Sequence, residues 1–208
     1  MYRAVLFDLD GVLTTDKTGS QSTVRSLARH TGIPEETLRA AYYRHNRALL
    51  YGGATHEEVW PDVCAEVGQP LPFDLLHTAF TETPMDGDVL CIAWEMKAAG
   101  CLIGLVTDNK VDRVEAILDC HGLRALFDAV SISAAVGSGK QDRAIFDDAL
   151  RKLSAAAGEE ISPAGCIFVD NSPQNLTVPA RMGMAVHHFD DERRDAAALR
   201  AILLGMRP

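Results

Sequence analysis

The stretch Ala4-Val5-Leu6-Phe7-Asp8-Leu9-Asp10-Gly11-Val12 decides how the rest of the chain is read. Four apolar residues closed by an acid have the length and composition of a short strand buried on both faces. Two carboxylates, Asp8 and Asp10, follow at once. At the carboxyl end of a parallel strand, side chains and backbone face the crevice where such sheets bind ligands. Once the strand becomes a loop, both acids can face one site, one as nucleophile and the other as proton donor and acceptor. Gly11 lets the backbone turn close past a ligand. By itself Asp-x-Asp-Gly is also an ordinary turn, so the reading depends on what surrounds it.

Working outward, short apolar runs alternate with helical patterns. Strands are predicted at Ala4–Asp8, Cys101–Thr107, Val130–Ser133, Cys166–Asp170 and Ala185–Phe189, each bounded by Gly, Asp or Ser. Helices are predicted at Asp88–Ala99, stopping at Gly100, and at Lys110–Cys120 and Gln141–Leu153. This alternation predicts an α/β fold, a Rossmann-like parallel sheet covered by helices on both faces. Residues 16–83 break the alternation with helical segments alone. One spans Thr23–His30, a second begins at Pro34 and runs toward Leu50, a third opens on the capping box Thr55-x-x-Glu58, and a fourth spans Phe73–Phe80. The block reads as a small all-helical cap inserted after the first strand, with residues 1–15 and 84–208 forming the core. The plainer alternative is that these helices simply cover the sheet.

Other strand and loop ends carry further chemistry. Thr107 ends the second strong strand, Lys140 precedes a helix, and Asp170 ends another strand with Asn171 beside it. Converging carboxylates would repel, so a hard cation such as Mg²⁺ is expected among them. The hydroxyl and the lysine remain to bind phosphate oxygens. Gly137-Ser138-Gly139-Lys140 is not a P-loop, because Ala134 and Gln141 stand where that pattern needs Gly and Ser or Thr.

In this order, Asp8-Leu9-Asp10-Gly11, Thr107, Lys140 and Asp170 resemble the four motifs of the haloacid dehalogenase superfamily. The stretch Ile167–Asn175, with Ala180 and Gly183, and the stretch Gly53–Trp60 are similar to family patterns too. The resemblance implies Asp8 as nucleophile and Asp10 as general acid/base. It implies Mg²⁺ held by Asp8, the Asp10 carbonyl, and Asp170 or Asn171, and a phosphate pocket of Thr107, Asp108 and Lys140. Asp10 favours phosphoester chemistry, since a halide leaves without a proton whereas an alkoxide needs one. The implied activity is a Mg²⁺-dependent phosphatase acting on a small phosphorylated metabolite through an aspartyl phosphate. A sugar phosphomutase and a catalytically weak phosphate-binding module are the alternatives.

Two residues depart from the family pattern. Asp108 replaces the Asn common after the motif hydroxyl, putting a carboxylate beside the phosphate. Asn171 replaces a frequent second acid, which removes one charge from the metal site. On the helical block, His45 and Arg47 lie near Tyr42 and Tyr43 and are candidates for contact with the leaving group, with plain surface solvation the competing reading. His187-His188 places one ring on each face of a strand and reads as structural. Trp60 and Trp94 read as core, and Asp190–Asp195 as the solvated start of the last helix.

Composition sets the outer bounds. The 208 residues are 47% hydrophobic and 24% charged, as in a soluble globular chain. A net charge of −9 argues against nucleic acid or an anionic membrane as partner. No apolar run approaches a membrane span. The five cysteines are scattered and read as reduced core residues, so the cytoplasm is the expected compartment. Oligomeric state is left open.

Overall fold

The computed structural model describes residues 2–205. Five parallel strands, β1 (Ala4–Phe7), β2 (Leu102–Thr107), β3 (Ala129–Ile132), β4 (Cys166–Asp170) and β5 (Ala185–His188), lie in the order β3-β2-β1-β4-β5. The central strand β1 is buried throughout, as its uninterrupted apolar run requires. The strand ends shift from the predicted ones by one residue or so. Ser133, read as strand, opens a short helix instead.

Between β1 and β2 come α1 (Gly19–Thr31), α2 (Glu35–Arg44), α3 (Asn46–Leu50), α4 (His56–Val67), α5 (Asp74–Thr81) and α6 (Gly87–Ala98). After β2 come α7 (Val111–Cys120), α8 (Ser133–Val136), α9 (Arg143–Ala157), α10 (Thr177–Arg181) and α11 (Ala196–Leu203). Alternating side chains of the sheet sort into two layers. Val5, Phe7, Ile103, Leu105 and Val169 pack under α6, α7 and α11. Ala4, Leu6, Cys166 and Phe168 pack under α9. The sheet is thus covered on both faces, as the alternation predicts.

The helices α1, α2, α4 and α5 bury a cluster of their own around Leu27, Leu38, Tyr42, Trp60, Val63 and Phe80, joined by Ala116 from α7. The two connections to this block run side by side: Thr14 bridges Met85, Thr15 N–H donates to Pro84 O and Asp86 N–H to Leu13 O. Helix α1 starts four residues before the predicted Thr23, because the Thr18 hydroxyl caps it by accepting the Gln21 N–H. The helix predicted from Pro34 to Leu50 is two helices, broken at His45. The Thr55–Glu58 capping box is present as read.

Three readings need correction. Trp94 is 40% exposed, since it stands a third of a turn away from the buried Ala93 on α6. Cys91 and Cys120 are exposed rather than core, although all five cysteines are free. Arg194 is not part of a solvated cluster. It adopts a left-handed φ of 47° and donates to Gly11 O, Val12 O and Thr14 O while pairing with Asp86.

Candidate active site

The first strand ends on Asp8, whose Oδ1 accepts the Leu9 N–H at 2.7 Å. The chain then makes a wide turn over Leu9–Leu13, closed by Thr14 N–H to Leu9 O. Gly11 sits in it at φ 81°, and a Cβ there would lie 2.2 Å from the Asn171 side-chain nitrogen. The turn therefore needs glycine for conformation and for space. Arg194 satisfies the carbonyls the turn leaves unpaired, which explains why that charge is drawn inward.

Lys140 brings the acids together. Its Nζ lies 2.6 Å from Asp8 Oδ1 and 2.8 Å from Asp170 Oδ2, all three side chains being buried. Burial alone would push the lysine down, but Asp8, Asp170 and Asp108 overcome it and hold Lys140 above its ordinary range. Burial pushes the Asp8 carboxyl up, to about 7, with Lys140 opposing and Asp170 and Asp10 adding to the rise. One ammonium thus faces two buried carboxylates, leaving excess negative charge that a cation would relieve. Asp170 is further held by Ser172 N–H and by the Asn175 amide.

Asp8, Asp10, Thr107, Asp108, Lys140 and Asn171 all line one cleft of about 390 Å³. Asp108 Oδ1 accepts the Lys140 backbone N–H at 3.0 Å, so this unusual acid is turned onto a donor. Burial still pushes it up from the usual carboxylate range. Asn171 donates to Asp191 Oδ2 at 2.9 Å, and Asp191 also lines the cleft. Asp191 therefore brings a carboxylate next to the position where Asn171 lacks one.

Sequence reading missed several residues here. Asp10 is held by Arg113, Nη1 to Oδ2 and Nη2 to Oδ1, each at 2.9 Å, and by the Asn109 amide at 2.8 Å. Arg113 is fully buried on α7, in a helix whose other inward residues are apolar. The only signal in the sequence was its position between Thr107 and the apolar run Val114–Leu118. Gly19 gives the pair room, because a Cβ there would lie 2.2 Å from Arg113 Nη1. Lys110, also missed, is buried and lines the same cleft.

His45 and Arg47 divide. Arg47 lines an adjoining groove of about 610 Å³ that shares Asn46 and Leu50 with the cleft. His45 instead lies 4.0 Å from Glu66 within the helical block and lines neither cavity, because the break between α2 and α3 turns it away. This corrects its reading as a leaving-group contact. His188 Nε2 donates to Asn171 O on the sheet edge, and His187, half-buried, is pushed down by burial and by His188.

For a hard divalent ion the donors at this rim are all oxygens, namely the Asp8 and Asp170 carboxylates and the Asp10 backbone carbonyl. Among the described residues no group of three or more His, Cys, Asp or Glu side chains could hold a metal unaided. That sparse set suits Mg²⁺, which keeps one or two carboxylates and completes its shell with water and phosphate oxygens.

A parallel α/β sheet with an aspartate–lysine–aspartate cluster at its rim has its candidate site where open α/β sheets bind ligands. The chain matches the haloacid dehalogenase-like hydrolase family over residues 2–183 and belongs to it, which makes it a hydrolase. It is similar to the sesquiterpene phosphatase astK of Aspergillus oryzae, at 23% identity over 97% of both chains. It is also similar to the validoxylamine A 7'-phosphate phosphatase of Streptomyces hygroscopicus subsp. limoneus, at 24% identity over 88% of this chain and 84% of that one. A family enzyme from Bacteroides thetaiotaomicron, solved with magnesium and inorganic phosphate, shares the fold with a TM-score of 0.65. Its identity is 16%, over 90% of this chain and 94% of that one.

Proposed function

We propose that this hydrolase is a Mg²⁺-dependent phosphatase that cleaves a small soluble phosphomonoester through a phosphorylated Asp8. The supporting observation is the buried Lys140 ammonium set between Asp8 and Asp170, at 2.6 and 2.8 Å, with Asp8 and Lys140 lining the cleft. Phosphoryl transfer asks for in-line positioning and charge neutralisation more than for covalent chemistry, and this cluster supplies both. Mg²⁺ held by Asp8, the Asp10 carbonyl and Asp170 would neutralise phosphate oxygens. Asn171, tied to Asp191, would orient that site from beside it.

Asp8 attacks phosphorus, Thr107 and Lys140 hold the transferring group, and Asp10 protonates the leaving oxygen. Asp10 then takes a proton from the water that attacks the aspartyl phosphate. Both Asp10 oxygens accept N–H bonds, as a carboxylate base does, and Oδ1, which takes only one of the three, keeps a lone pair for the proton. Residues 16–83 would act as the cap over this chemistry, with 1–15 and 84–208 as the catalytic core. Among the described residues no helix is long and apolar enough to cross a membrane. The free cysteines support a reducing compartment, the cytoplasm.

The test is hydrolysis of p-nitrophenyl phosphate with Mg²⁺ and after its removal by chelation, for the wild type and Asp8→Asn. Turnover should need the ion and vanish in the variant while its melting curve stays cooperative. Full activity of Asp8→Asn would end the mechanism. Binding of phosphate analogues without turnover in the wild type would favour the weak binding module, and isomerisation of a hexose phosphate without phosphate release would favour the mutase.

A further inference from the structure

Lys110 is a buried cation that the proposed chemistry leaves unused. It is 4% exposed at the head of α7 and faces two spaces, the active cleft and a cavity of about 450 Å³ beside His56 and Asp112. Its Nζ donates to the Ser20 hydroxyl at 2.8 Å, and Ser20 in turn donates to Asn46 Oδ1 at 3.0 Å. The Tyr42 ring centroid lies 5.7 Å away. Among the described residues no carboxylate is within ion-pair distance of it.

The neighbouring carboxylates already have other partners, Asp108 the Lys140 backbone N–H and Asp112 the His56 ring. Lys140 takes Asp8 and Asp170, Arg113 takes Asp10, and Lys17 takes Asp191 and Glu192. An ammonium has three donors, and Lys110 has spent one, on a neutral hydroxyl. A cation buried without a counter-charge is costly, and burial together with Arg113 pushes Lys110 down to about 7. A residue carried at that cost beside a ligand cleft has the character of a receptor for negative charge.

We infer that Lys110 binds a second oxyanion, a carboxylate or another phosphate, carried by the leaving group of the substrate. The inference rests on the phosphatase reading, since it is the phosphoryl cluster that fixes which end of the substrate reaches Lys110. The oxyanion would take the two unused N–H donors, while Ser20 and Asn46 keep the ammonium aimed. Lys110 is then a determinant of specificity, distinct from the Thr107–Lys140 grip on the transferring group.

The experiment measures, by calorimetry at saturating Mg²⁺, the affinities of propylphosphonate, 3-phosphonopropionate and propane-1,3-diphosphonate. The first has no second anion, the second carries a carboxylate and the third another phosphonate. At least one charged ligand should bind the wild type about tenfold tighter than propylphosphonate or better, and which one does identifies the anion. In Lys110→Met, and in Lys110→Gln as a polar uncharged check, that ratio should fall below about twofold. The melting temperature of Lys110→Met should not drop, because a structural lysine would destabilise on removal and an unpaired one would not. Equal affinities in the wild type, or a ratio that survives in a folded variant, overturn the inference and leave the phosphatase reading standing. Failure of all three to bind, with no turnover of p-nitrophenyl phosphate, overturns both.

Discussion

Gly11 carries two constraints at once, a left-handed φ and the Asn171 side chain pressed against the space of a Cβ. Gly11→Ala should cost about 1–2 kcal/mol for the conformation alone and displace Asn171 as well. Its expected signature is a lower denaturant midpoint and a larger loss of turnover than of substrate binding, and unchanged kinetics would show that the turn tolerates a side chain. Lys110 predicts a pH effect. It titrates near 7 when folded, against an ordinary 10.5, through burial and Arg113, with Asp10 and Asp112 opposing. Between those values the unfolded chain holds a proton that the folded chain lacks, so this residue makes stability rise with pH. Below the folded value both states are protonated and the penalty is complete. Denaturant melts of Lys110→Met and wild type should therefore differ most near pH 6 and converge toward pH 10. A constant difference would refute the assignment.

Elements show why some features could be read and others not. The strands were legible because a parallel strand covered on both faces is apolar at every position, and Ala4–Phe7 is the clearest instance. The short helices α8 and α10, of four and five residues, are too brief for a helical period to show. The last helix was legible, but the loop before it was not. A run of Asp and Arg looks solvated until Arg194 is seen beneath the Gly11–Thr14 turn, donating to three carbonyls. Arg194→Met should leave those acceptors unpaired and Asp86 without its cation. We expect a loss of about 2–4 kcal/mol of stability, with faster hydrogen exchange confined first to the turn and the Thr14–Met85 connection. Uniform exchange would argue against so local a role.

Across the whole molecule, the helical block meets the sheet-covering helix α7 through a polar chain that runs from exposed Asp112 to buried His56 and Tyr42. Asp112 accepts from His56 Nδ1 at 2.6 Å, and His56 Nε2 bonds the Tyr42 hydroxyl at 2.7 Å. His56 is stacked on Tyr42 and packed against Phe80, so His56→Phe keeps the shape and deletes both hydrogen bonds. The expected result is a loss of about 1–3 kcal/mol, with protease cutting first in the connections at residues 14–18 and 82–86. Cleavage elsewhere would mean that the block is held mainly by its apolar contacts.

The sequence by itself determined the sheet, the helical block and the acids, hydroxyl and lysine at successive strand ends, because periodicity and strand-end position are local properties. It could not pair Asp10 with Arg113, seat Asp191 against Asn171, turn His45 away or draw Arg194 inward. Those partners lie far apart along the chain, and only packing decides which buried charges meet. Lys110 shows the difference most clearly: a lysine before a helix is unremarkable in a sequence, and its isolation appears only once each neighbouring carboxylate has found another partner.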